Sequence, residues 1–175
     1  RSTPLYSSAA SDVYKRQDSY QIPEIAKLAC LTIDTSMRHL DDITKNNLSK
    51  NAILIGDLLS AHYYTLLAEM DDPSYQLNMS KAIVKVNELK SSLHQHALPK
   101  RDMNEAIIDI EVLFPYITIS HFKDDVDKFV LFEDLTSKYD GYYPSYLKQY
   151  TKDAIDQFFK DINQSYTKRR GNEHG

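Results

Sequence analysis

Asn51-Ala-Ile-Leu-Ile-Gly56-Asp57-Leu-Leu-Ser60-Ala61-His-Tyr-Tyr64-Thr-Leu-Leu-Ala-Glu-Met70 is a stretch in which only Asp57 and Glu69 carry a charge. Its apolar residues fall nearly all round a helical wheel, so the sequence predicts a helix from about Ser49 to Met70, buried on most sides. Gly56-Asp57 resists that simple reading. Glycine in a helix interior costs about 1 kcal/mol relative to alanine, and an unpaired buried carboxylate costs more. Two explanations stand side by side. Either another backbone approaches Gly56 closely while Asp57 has a fixed partner, or Gly56 marks a kink or the helix start and Asp57 caps it.

Upstream, Ile22, Ile25, Ala29, Ile33, Met37 and Leu40 recur every three or four residues, one face of an amphipathic helix that Asn46-Asn47 ends. Downstream, Asp72-Pro73 reads as an N-cap followed by proline at the first helical position. Met79, Ile83, Val86 and Leu93 mark the buried face of that third helix. Asp102 and Glu105 have the spacing of a capping box for a fourth helix, which Pro115 is expected to kink or end. Val126, Phe129, Val130, Leu135 and Tyr139 form a fifth segment, and Asp140-Gly-Tyr-Tyr-Pro144 a turn. Leu147, Tyr150, Ala154, Phe158 and Ile162 predict the last helix. Apolar alternation at a period of two is nowhere sustained. The fold class is therefore all-α, a single-domain helical bundle of about six helices.

The two ends differ from this body. Residues 1–17 have no helical or strand period and are expected to be a non-native or disordered N-terminal segment. Residues 18–167 are the helical domain, and residues 168–175 a polar, disordered tail.

Composition removes several functions. Only 4 glycines occur in 175 residues, where roughly 7% is usual, and they lie too far apart for a glycine-rich phosphate cradle. The single Cys30 excludes an internal disulfide and cysteine zinc sites. A net charge of −4 with one basic cluster, Lys168-Arg169-Arg170, argues against nucleic acid as a partner. The mean hydropathy is −0.51, and no run approaches the roughly 18 apolar residues of a membrane helix, so no integral membrane association is expected. The expected setting is the cytoplasm.

The acidic clusters invite a metal hypothesis and then fail it. Magnesium bound to a diphosphate wants carboxylates one helical turn apart on one face. Four residues after Asp34, Asp41 and Asp124 stand Arg38, Lys45 and Lys128, so these acids read as intrahelical ion pairs on solvated faces. The histidines have no ligand spacing, and no nucleophile motif is present. The expectation is no catalytic residue, no metal ligand and no cofactor bound by this chain.

The central helix also carries a family likeness. Gly56-Asp57-Leu-Leu-Ser60-Ala61-His-Tyr-Tyr64-x-Leu-Leu-Ala-Glu69-Met70, followed by Ile83-x-x-Val86-Asn87-Glu88-x-Lys90, resembles the small subunit, component I, of heptaprenyl diphosphate synthase. The likeness runs from about Glu24 to His96. It implies an eroded copy of the isoprenoid synthase fold and a heterodimer that elongates farnesyl diphosphate with isopentenyl diphosphate for the menaquinone side chain. It further implies that a catalytic large subunit carries the aspartate-rich motifs, the magnesium and most contacts to prenyl diphosphate substrates. Leu31-Thr-Ile-Asp34-Thr-Ser-Met-Arg38 occupies the place of the first such motif with one aspartate left. Residues 56–67 inherit the expectation of a subunit interface, with Gly56, Asp57, Ser60, Ala61 and Tyr64 as the interface or tunnel candidates. Two other readings compete: a self-sufficient homodimeric synthase, which the missing aspartates oppose, and a helical interaction or regulatory domain with no enzymatic role.

Overall fold

A twenty-residue helix, α4 (Met103–Phe122), is the axis on which the chain is built. Ala106-Ile-Ile-Asp-Ile-Glu-Val-Leu-Phe-Pro115 is buried without interruption, as a helix apolar on all sides must be if it sits at the centre of a domain. The computed structural model describes residues 21–46, 50–123, 125–136 and 141–173. Around α4 stand α1 (Glu24–Asn46), α3 (Pro73–His94), α5 (Lys128–Thr136) and α6 (Lys152–Glu173), each packed against it. The remaining helix, α2 (Lys50–Met70), has α1 as its one substantial helix neighbour among the described residues. Six α-helices and no strand among the described residues make this an all-α bundle.

Local chemistry explains most boundaries. Asp72 caps α3 as expected, accepting from the Tyr75 backbone N–H at 3.0 Å with Pro73 at the first helical position. Its second oxygen lies 2.7 Å from His121 Nε2, which ties the start of α3 to the end of α4. The Asp72 carboxyl is held below its ordinary range, first by the Tyr75 N–H and then by His121.

Other boundaries depart from expectation. Asp102 makes no capping hydrogen bond, because its backbone is already near-helical (φ −96°, ψ −7°) and α4 is entered through a 3-10 turn, Lys100–Asp102. Pro115 neither ends nor breaks α4, and is buried inside it. The last helix starts at Lys152 rather than near Leu147. Leu147 is buried in a separate 3-10 turn, Ser145–Leu147, and Thr151 Oγ1 accepts from the Ala154 N–H at 3.2 Å to start α6. That helix runs on through residues 168–173, where the sequence predicts a frayed tail. Residues 1–17 and the end of the tail at 174–175 lie outside the described residues.

The largest departure is α2. It buries only Gly56, Tyr63, Leu66 and Leu67, although its composition predicts burial on most sides.

Candidate functional site

α2 presents two faces with different tasks. The inner face packs on α1. Ser60 Oγ is 3.2 Å from Ser36 Oγ, and His39 Nε2 is 2.9 Å from the Ala52 carbonyl. A Cβ built on Gly56 would lie 3.5 Å from Leu40 Cδ2 and 3.8 Å from the His39 ring, ordinary contacts with side chains. Among the described residues no backbone of another element therefore crosses closely at Gly56, and the helix neither starts nor stops there.

The outer face is apolar and open. Ile53, Leu54, Ile55, Leu58 and Tyr64 are exposed by 46%, 55%, 48%, 61% and 56%. Exposed residues at 54, 58, 61 and 65 follow the three-to-four spacing of one helical stripe. Asp57 and Ala61 are exposed on it as well. Tyr64 is braced edge-on against the buried Tyr63, ring centroids 5.2 Å apart. Of the five candidates, then, Asp57, Ala61 and Tyr64 point outward, whereas Gly56 and Ser60 face α1. Scattered exposed apolar residues are normal on a protein surface, so it is the concentration of these side chains on one face of one helix that makes α2 a candidate interaction surface.

A second constellation lies inside the bundle, and it involves residues that the sequence alone does not single out. Glu111, on α4, is 1% exposed. Its carboxylate receives Arg38 Nη2 at 3.0 Å, Tyr142 Oη at 3.1 and 3.2 Å, and Tyr146 Oη at 2.7 Å. The Arg38 guanidinium also bonds the Tyr142 hydroxyl and reaches the Glu111 carbonyl at 3.4 Å. That carbonyl is the one whose intrahelical partner would be the missing N–H of Pro115, four residues on, so Arg38 supplies a donor to the acceptor that proline leaves free within the helix. Burial, and then the Glu111 charge in the same direction, hold the Tyr146 hydroxyl well above its ordinary pKa. Burial does the same for Tyr142, with Arg38 opposing.

Two residues before Glu111, on another side of α4, Asp109 is buried between Lys85 at 3.0 Å and Lys128 at 2.9 Å. Two acids within an apolar segment that ends in Pro115 were a readable signal, since buried carboxylates demand cations. Which cations meet them is set by the fold.

Similar contacts occupy the acids that invited a metal hypothesis. Arg38 Nε stands 3.5 Å from Asp34, as the spacing predicts, but the pair is mostly buried and continuous with Glu111, not on a solvated face. Asp41 meets Lys90 of α3 at 2.6 Å and is also largely buried. Burial outweighs even so close a cation and raises the Asp41 pKa. Asp124 lies outside the described residues, as does the side chain of Lys45. Asp127 accepts from the Phe129 N–H at 2.8 Å, and Lys128 goes to Asp109. Among the described residues no three His, Cys, Asp or Glu side chains are arranged to hold a metal. Asp34, already on a guanidinium, does not fit a magnesium ligand. No helix among the described residues is long and apolar enough to cross a membrane.

Comparison with known proteins gives this geometry a setting. Residues 9–117 match the family described as hexaprenyl diphosphate synthase, small subunit. The match begins inside the segment 1–17 that composition sets apart. The whole fold is similar to a crystal structure of heptaprenyl diphosphate synthase from Staphylococcus aureus, with a TM-score of 0.81 and 54% sequence identity. The similarity covers 88% of this chain and 84% of that one.

Proposed function

Because the chain belongs to the family of hexaprenyl diphosphate synthase small subunits, we propose that it is the non-catalytic partner in a heterodimeric heptaprenyl diphosphate synthase. The observation that carries this reading is the outer face of α2. A chain of this size leaves Leu54, Leu58 and Tyr64 more than half exposed on one helix only at a cost in hydration, which a partner surface recovers. The large subunit covers that face, with Asp57, Ala61 and Tyr64 in direct contact. Gly56 and Ser60 act from behind, by fixing α2 on α1.

In this reading the large subunit holds the magnesium and the two diphosphates, and performs the condensation of farnesyl diphosphate with isopentenyl diphosphate. The small subunit completes and shapes the elongation tunnel, and the product is the side-chain precursor of menaquinone. The heterodimer works in the cytoplasm. Support for the division of labour comes from the interior: the residual Asp34 is held by Arg38, and Arg38 by Glu111, so the carboxylate that would face a metal already has its cation.

The test is reconstitution. The chain alone should release no diphosphate from farnesyl and isopentenyl diphosphates with magnesium, and the large subunit alone should make little long-chain product. The mixture should make it, and should lose activity when the large subunit's aspartates are replaced. Magnesium-dependent turnover by the isolated chain would overturn this reading in favour of a self-sufficient synthase. A chain that neither binds a large subunit nor alters its product would be an interaction domain of another kind.

A further inference from the structure

The outer face of α2 contains one residue that an apolar interface would reject. Asp57 is exposed, and its helical neighbours on that face are Ile53 and Leu54 one turn before it, Ala61 one turn after and Tyr64 two turns after. It makes no side-chain hydrogen bond or ion pair with another described residue. Where the fold itself removes an acid from water it supplies a cation: Glu111, Asp109 and Asp41 each meet one from another helix. When a partner covers α2, Asp57 loses its water. An uncompensated carboxylate at the centre of a buried face would offset much of what the surrounding apolar contacts contribute.

Resting on the reading of α2 as a subunit interface, we propose that the large subunit sets a cationic side chain, a guanidinium or ammonium, opposite Asp57 within an otherwise apolar contact. This pair, more than the apolar area, selects the heterologous partner. The same geometry opposes a second copy of this chain as the occupant. The apolar stripe runs from Ile53 to Tyr64 and its midpoint falls beside Leu58. An isologous antiparallel pairing about that midpoint brings two Asp57 carboxylates within about one helical turn, roughly 5 Å along the axis. Like charges without water at that separation disfavour the homodimer. Apolar area supplies the affinity and Asp57 supplies the discrimination.

The experiment uses the full chain and its large subunit, with affinity and association rate measured at low and high salt. Asp57→Asn is nearly isosteric and lies on an exposed position, so circular dichroism of the isolated chain should not change. Its affinity for the large subunit should fall at least tenfold, and the salt dependence of the association rate should become shallower. Asp57→Lys should weaken binding at least a hundredfold, and changing one basic residue on the partner's contacting helix to Glu should restore it. If Asp57→Asn binds with unchanged affinity and salt dependence while Leu58→Asp abolishes binding, the ion-pair proposal is overturned and the interface reading stands. Should the wild-type chain fail to bind the large subunit, both fall. A wild-type homodimer in sedimentation that Leu58→Asp breaks would overturn the claim that Asp57 excludes a second copy.

Discussion

α2 and α4 are helices of 21 and 20 residues, both predominantly apolar and both interrupted by acids. Yet α4 buries thirteen of its residues and α2 four. α4 is packed by four other helices, whereas α2 has one substantial neighbour. The acids repeat the contrast. Each buried acid of α4 is met by cations brought from distant parts of the chain, while Asp57 on α2 has none among the described residues. Packing surrounds α4 on all sides, whereas α2 leaves an apolar face exposed among the described residues, the face that the proposed function assigns to a partner.

This contrast can be broken most directly at Glu111. Glu111→Ala strands Arg38 and two tyrosine hydroxyls in the interior and should destabilise the chain by about 3–5 kcal/mol, read as a lower urea midpoint. Loss below about 1 kcal/mol would mean that α4 is less essential than its burial implies.

The matching change on α2 should leave folding alone and act on assembly. Leu58→Asp removes the most exposed leucine of the stripe and should weaken association with the large subunit by about a hundredfold or more, as expected of a central interface residue. The melting temperature of the isolated chain should move little. A melting temperature that falls by many degrees would place Leu58 in the core and erase the distinction between the two helices.

A smaller effect is expected where α3 and α4 are tied together. Asp72→Ala should cost about 1 kcal/mol, the usual worth of an N-cap. Because the folded Asp72 pKa is depressed, its contribution is present above the ordinary carboxylate pKa of about 3.9. It is lost as pH falls through the lower folded value. Denaturant titrations from pH 6 to pH 2 should show the wild type and the variant converging in acid. A difference that persists at pH 2 would show that the cap works without its charge.

The smallest effect is at Gly56. Alanine meets only Leu40 and His39 at ordinary distances and is the better helix former by about 1 kcal/mol. Gly56→Ala should therefore stabilise the isolated chain by up to about that amount and leave partner affinity unchanged. Reduced affinity would return Gly56 to the interface itself.

Much of this architecture is legible in the sequence, because helix period and caps are local. The spacing from Ile22 to Met37 gives α1, Asp72-Pro73 gives the start of α3, and the absence of strand alternation gives the fold class. The same local reading stops short at Pro115. A proline forbids one hydrogen bond, but whether a helix ends there depends on whether something else can satisfy the freed carbonyl. Here Arg38 does so from 73 positions away in the chain. It also takes Asp102 for a cap, since spacing says nothing of backbone geometry, and passes over Thr151.

Among the site candidates, the sequence by itself determined that residues 56–64 are helical, apolar and interrupted by a carboxylate. Only the tertiary structure decided that Gly56 and Ser60 turn inward while Asp57, Ala61 and Tyr64 turn outward, and that α4 rather than α2 lies at the centre. The physical reason is that helix period and capping depend on residues within a turn or two. Burial and charge compensation depend on which distant surfaces arrive, and two helices of like composition give the same local signal whichever of them is covered.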